Sequence, residues 1–428
     1  MSPAITWKTA GAADGISRRS GMRVRVTLLA CSTLLACAAC GREGTTGGAV
    51  RRDSAGIVIV ENSSPLLSGN DGWKVDTQPR LRIDAGRYPI DRIVSAFRLD
   101  DGRILLADGG SNLLLLFDSS GASADTLGRP GQGPQEFRYL YSAFPRSGDS
   151  ILVSDGARNY LVTLVPDGGR WRHVHVPVTL PVEMPYMAVD GVFASGTLLL
   201  APSMEASMRN DGIERQWEES TERLLANSRG MSVRKIGPFP SGILFSSPTS
   251  MGALVFGPAA FIEVGGSQLF VAYTKEYSIK VFTEEGTLAR IIRRIWAPRS
   301  VTAADIEQWR ARMMSGVTGS RAADLRQHVD GARFADTHPA HGTMFPDRVG
   351  NLWVRSHSVE LDLPLWRGYP GGGPSSSWSV FDSDGLWVTD VVLPAGLHPT
   401  DIGEDYVLGF VPDSDDVQHL AVYSLRKR

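Results

Sequence analysis

The 428-residue chain sets 44 lysines and arginines against 46 aspartates and glutamates, a formal charge of −2. That balance, with no basic stripe, argues against nucleic acid as a main partner, and 42% apolar residues argue against disorder. The 46 glycines and 25 prolines are scattered between short apolar runs, a distribution that suits many tight turns between strands.

All three cysteines, Cys31, Cys37 and Cys40, fall near the N-terminus, so none remains for a disulfide, metal site or catalytic thiol further on. Arg23 and Arg25 precede a short apolar run, Val26 to Cys40, that ends in small residues. This is the layout of an export signal, and it is shorter than the roughly 20 apolar residues of a membrane span. Met22 lies directly before it, so residues 1–21 read as an over-extended start. The run Leu34-Leu35-Ala36-Cys37 resembles a bacterial lipoprotein signal, which implies acylation of Cys37 as the first mature residue. Cys40, before Gly41-Arg42, is the alternative, and a plain secretory peptide cut nearby is a third reading. Removing residues 1–36 leaves 39 basic and 45 acidic residues. The small, polar stretch up to Asp53 has the composition of a flexible tether, giving a signal at 1–36, a tether at 37–53 and a folded body at 54–428.

The body repeats itself. Asp101-Gly102, Ile104–Asp108, a Gly-Gly-Ser-Asn turn, Leu113–Phe117 and Gly121 read as two adjacent antiparallel strands between turns. The same grammar returns at Gly148 with Ile151–Asp155 and Leu161–Val165, and at Gly196 with Leu198–Ala201 and a delayed partner at 223–230. It returns again at Gly266 with Leu269–Ala272 and Ile279–Phe282, and at Gly350 with Leu352–Val354 and Trp378–Phe381. A degenerate copy pairs Tyr406–Phe410 with Leu420–Ser424. Six such units, with further strands between them, predict an all-β fold: a six-bladed β-propeller with short helical insertions. The unattached strand Gly56–Glu61 is expected to close the last blade, because an open propeller would leave two edges unpaired.

The units resemble NHL-type repeats, best at Asp101–Phe137 with its tail Leu127-Gly-Arg-Pro-Gly-Gln-Gly-Pro-Gln-Glu-Phe137. In outline, residues 54–425 are similar to a family of six-bladed-propeller lipoproteins of environmental bacteria. The resemblance implies a monomer in the cell envelope, held to a membrane by lipid and facing the periplasm or the surface. Within the wider group some members bind proteins or RNA, and a few are lyases or lactone hydrolases with a metal in the central tunnel. No motif of those enzymes is recognisable in this chain.

Three insertions break the pattern. Residues 203–222 are charged and read as helix or loop. Residues 302–329 open on the capping-box spacing Thr302-x-x-Asp305, place Ile306, Trp309 and Met313 on one helical face, and continue into a second helix at 320–328. Residues 361–377 form a Gly/Pro/Ser loop carrying Trp366, Arg367 and Tyr369, which with Trp309 are candidate binding residues. His173-x-His175, and His338-x-x-His341 beside Asp336, are candidate metal ligands set against a packing role. Asp108 and Asp155 end equivalent strands, where such acids tie turns by accepting N–H bonds; a cation role is the alternative. Arg290, Arg293 and Arg294 beside Trp296 could meet an anionic partner or simply be solvated on a strand.

No catalytic residue is assigned. The expected function is a non-catalytic binding or scaffolding protein, taking a protein or small molecule at the tunnel mouth and needing no cofactor. The alternative is a tunnel-centred hydrolase or lyase using calcium or zinc.

Overall fold

The computed structural model of the chain describes residues 44–83, 87–156, 160–177, 187–202, 212–227, 233–315, 320–360 and 374–427. Strand dominates, and the described residues hold two α-helices, α1 (Ala303–Met314) and α2 (Ser320–Asp330). The strand pairs expected from the repeat are adjacent and antiparallel in each unit, from Ile104–Asp108 with Leu113–Phe117 to Tyr406–Pro412 with Gln418–Arg426. The delayed pair of the third unit holds through Leu198↔Ala226 and Leu200↔Leu224. Each pair gains a strand before it and, in all but the last, a strand after it, which makes six sheets in chain order. Gly102, between Ile93–Arg98 and Ile104–Asp108, turns the chain at φ 89°, and Gly350 does so in the fifth sheet at φ 95°. A side chain would be strained at either position.

The sheets pack face to face in a closed order. One apolar cluster joins the first sheet to the second through Leu105, Leu116, Ala143 and Val153. Leu152, Leu161, Leu198 and Leu224 join the second to the third, and Leu199, Leu225, Ile262 and Leu269 the third to the fourth. Phe270, Ile279, Val354 and Phe381 join the fourth to the fifth, and Trp353, Val380, Val407 and Tyr423 the fifth to the sixth. The series returns to its start through Ile104, Leu106, Leu408 and Leu420. Each fully buried leucine or isoleucine contributes about 1.5–3 kcal/mol. Hydrogen bonds between first strands reinforce the order: Ser95 Oγ accepts from Ala143 N at 3.0 Å, Ser142 Oγ donates to Val189 O at 3.1 Å, and Asp401 Oδ2 accepts from Arg98 N at 2.9 Å.

Closure differs from the expectation. Ile57–Asn62 runs parallel to Leu288–Arg294 on the outer edge of the fourth sheet, not in the last one. Asn62 fixes it there, donating to Gly385 O at 3.0 Å and accepting from Trp387 N at 2.9 Å. The last sheet is completed by Lys74–Val75 and Leu81–Ile83, both against Gln418–Arg426. Alternating apolar residues make a strand but do not choose its edge, and the true closing strands are too short to show a period. Within the stretch read as tether, Gly44–Thr46 and Ala49–Ser54 are strands, and Ala49–Ser54 forms a hairpin with Ile57–Asn62.

Two insertions are smaller than their compositions suggested. Within 203–222, residues 215–222 are strand in Arg215–Ala226, paired with Val233–Ser246, and 203–211 lie outside the described residues. Within 361–377, Ser376 and Ser377 open the strand Ser376–Phe381, and 361–373 lie outside the described residues. The helical insertion is present, α2 running to Asp330. Strand direction alternates within a sheet, so second-to-third and sheet-to-sheet connections leave from the same end. The helical insertion therefore emerges on the end from which Arg355 runs out of its strand towards His357.

Candidate functional site

The helical insertion stands on its own small core. Trp309 and Met313 are buried with Phe256, Leu325, Val329 and Val359, and Trp309 meets Phe334 edge-on at 5.4 Å. Trp309 is thus a core anchor, and its candidacy as a surface binding residue is corrected. The segment after α2 is strapped back onto the chain before α1: Val301 N donates to Asp336 O at 2.9 Å and His338 N to Arg299 O at 2.9 Å. Helix α1 starts with the capping box. Asp305 N donates to Thr302 Oγ1 at 3.2 Å, while Asp305 Oδ2 accepts from Thr302 N at 2.9 Å.

That capping carboxylate also faces a histidine. Asp305 Oδ2 lies 3.2 Å from His338 Nε2, too misaligned for a linear hydrogen bond but close enough to feel a charge there. On its other side, His338 Nδ1 is 3.0 Å from His357 Nε2, so one imidazole donates and the other accepts. The result is a row of Asp305, His338 and His357, flanked by the Phe256 ring 4.9 Å from His338. Burial pushes the His338 imidazole below its ordinary range, against the pull of Asp305. The hydroxyl and backbone of Thr302, with help from His338, hold the Asp305 carboxyl well below the usual carboxylate range. At neutral pH the row therefore holds an ionised carboxylate beside a neutral His338, with one proton between the two rings.

The row forms part of the wall of a cavity of about 680 Å³ between the insertion and the fourth and fifth sheets. Ile295, three-quarters exposed, and Trp296 make an apolar lip. Arg299, Ser356 and Ser358 supply polar groups, and Gln308 donates to Glu360 across the wall at 2.9 Å. Arg294 also lines it, but its guanidinium stacks 3.8 Å over Trp387 and donates to Ser379 Oγ at 2.7 Å, tying the fourth sheet to the fifth. Arg299 is the more available cation, over half exposed and 3.6 Å from Asp305 Oδ1.

The other candidate residues are dispersed. His341 is buried away from the row, its Nδ1 2.7 Å from Gly342 O and its ring 5.0 Å from Tyr277. The spacing His338-x-x-His341 therefore brings no ligand pair together, and Asp305 takes the place expected for Asp336. His173 and His175 share one face of Arg170–Pro177 in the second sheet. Burial first, then the His175 charge, lowers His173. Among the described residues no three His, Cys, Asp or Glu side chains come together as a metal site. Asp108 and Asp155 are buried turn ties: Asp108 accepts from Arg92 N at 2.5 Å and Ser111 N at 2.8 Å, Asp155 from Arg138 N at 3.0 Å and Tyr139 N at 3.1 Å. Arg293 pairs with Glu61 at 3.3 Å and Arg290 with Asp384 at 3.7 Å. Cys37, Cys40, Trp366, Arg367 and Tyr369 lie outside the described residues. Sequence reading missed His357 and Arg299; the only signal was a polar Ser356-His357-Ser358 directly after a buried strand.

No family model and no curated protein matches the chain. Solved structures with a similar course include an exported protein from Bacteroides fragilis, at 13% identity and TM-score 0.45, covering 86% of this chain and 99% of that one. A member of the DUF4221 family from Bacteroides vulgatus shares 12% identity at TM-score 0.48, with 84% and 100% coverage. A virginiamycin B lyase from Staphylococcus aureus shares 10% identity at TM-score 0.39, with 82% and 99% coverage.

Proposed function

We propose that the chain is a cell-envelope binding protein: a six-bladed β-propeller, held to a membrane by acylation at Cys37 or Cys40, that captures a small amphipathic anion without transforming it. The cavity beside the helical insertion carries this reading. Arg299 offers a charge-assisted donor at the rim, and Ile295 and Trp296 offer an apolar surface next to it. The closed order of six sheets supports the propeller, since it leaves no sheet face uncovered.

Naphthalene-2-sulfonate is a suitable probe, with its binding read by calorimetry and by tryptophan fluorescence. Arg299→Glu should weaken it about tenfold or more, the worth of one charged hydrogen bond, while Arg290→Glu leaves it unchanged. Equal affinity in both variants removes the cavity from the proposal. Labelling with a fatty-acid analogue tests the anchor: incorporation surviving both Cys37→Ala and Cys40→Ala refutes it.

A further inference from the structure

The fourth sheet is built differently from its neighbours. Among the described residues it holds seven strands where the others hold four or five. The excess is N-terminal: Gly44–Thr46, Ala49–Ser54 and Ile57–Asn62 extend its outer edge beyond Leu288–Arg294. One face of this extension is covered. There Val60, Asn62 and Ile292 are buried, and Asn62 bonds to the fifth sheet at Gly385 O and Trp387 N. Arg51 and Arg290, on the same face by register, reach Asp384 of the fifth sheet at 4.0 and 3.7 Å.

The opposite face is set by the same register. Lys280 pairs with Ile291, Ile291 with Ile59, and Ile59 with Arg52; one step along, Arg293 pairs with Glu61 and Glu61 with Val50. Residues opposite one another in a sheet share a face, so all of these do. Val271, which pairs with Lys280 on its inner side, is buried against the third sheet, whereas Lys280 is exposed. The cover of the third sheet therefore ends at Lys280, and the strands beyond overhang it. Val50 is 38% exposed, Ile59 and Ile291 are half-buried, and none of the three belongs to the apolar clusters that join the sheets. Arg52 and Arg293 share one oxygen of Glu61, at 2.8 and 3.3 Å. With Lys280, this face carries three cations to one carboxylate.

A positive face with a strip of apolar side chains suits the headgroup level of an anionic bilayer, where phosphates meet the cations and apolar groups reach the acyl boundary. Chain length puts that bilayer within reach. If Cys37 or Cys40 is acylated, the reading on which this inference rests, Gly44 follows the anchor by seven or by four residues. A chain spans at most about 3.6 Å per residue, so the extension starts within about 25 Å or about 14 Å of the membrane. We propose that the overhanging face of the fourth sheet, from Val50 and Arg52 to Lys280, docks on anionic phospholipid headgroups. The anchored body is then held against its membrane by this edge instead of swinging on a tether.

Photo-crosslinking tests this in the full chain, expressed in bacteria with the fatty-acid analogue that labels the anchor. Benzoylphenylalanine replaces either Val50 or Ser119, an exposed turn residue of the first sheet, three places round the closed order. Mass analysis should find a phospholipid adduct at position 50 and none at 119. In the purified protein, reconstituted in phosphatidylcholine vesicles, adding phosphatidylglycerol should raise the yield. Lys280→Glu, at an exposed position, should lower it about fivefold or more, the worth of a charge at an anionic surface. The two readings part cleanly. Acyl label without the adduct at 50 overturns the docking face and keeps the anchor; the adduct without label refutes the anchor and keeps the face. Equal adducts at 50 and 119, a yield indifferent to phosphatidylglycerol, or an adduct with protein or a second copy in place of lipid would also overturn the proposal.

Discussion

The first two sheets and the helical insertion use the same device, a carboxylate that accepts backbone N–H groups, to different ends. In the sheets, Asp108 and Asp155 are buried and tie turns by accepting backbone N–H groups. In the insertion, Asp305 caps α1 and still presents an oxygen to His338 at the wall of a cavity. A repeated acid inside a regular unit is spent on the fold. An acid at an irregular helix start has geometry left over for something else.

That contrast can be tested from the core outwards. Trp309→Ala should cost about 3–5 kcal/mol, because a buried indole leaves a cavity under both helices. If the insertion is an independent region, hydrogen exchange will accelerate across 303–330 and stay slow in the strands of the first sheet. Uniform acceleration would mean the two regions unfold as one. Asp108→Ala should cost about 3 kcal/mol by chemical denaturation, since it orphans the Arg92 and Ser111 N–H groups. A loss near zero would show that water replaces the tie. Thr302→Ala removes one side of the capping box and should cost about 1 kcal/mol, confined to α1.

The contrast also has a pH dependence. His338 is lowered by burial, so the unfolded chain binds its proton more readily than the folded one. The insertion should be most stable above the ordinary imidazole value, near 6.5, and loosen as pH falls below it. His398 in the sixth sheet, pushed down to about 4 by burial and Arg355, should give that sheet a loss spread between roughly 6.5 and 4. Local exchange rates separate the two, and His338→Gln should flatten the insertion's response without touching the sixth sheet's. A flattened response in both places would couple them.

Much of the regular region was legible because its signals are local. Turn glycines, apolar runs of four or five and their spacing mark the central strand pairs from Ile104–Phe117 to Tyr406–Ser424. The capping box at Thr302 and Asp305 was legible for the same reason. What failed to show was long-range. Ile57–Asn62 is strand by pattern, but its partner at 288–294 is chosen by Asn62 reaching the fifth sheet, 325 residues away at Trp387. The row of Asp305, His338 and His357 spans 52 residues and three separate segments, so no spacing rule could have joined it. His341, close in sequence to His338, turned out to face elsewhere, because the strap at 334–341 sends alternate residues into different packing.

The most direct measurement is a crystal structure of the protein with naphthalene-2-sulfonate bound. If the insertion cavity is the binding site, the sulfonate will lie against Arg299, with the rings on Ile295 and Trp296. Density for the probe at the centre of the ring or on an outer strand, with the cavity left empty, would contradict it.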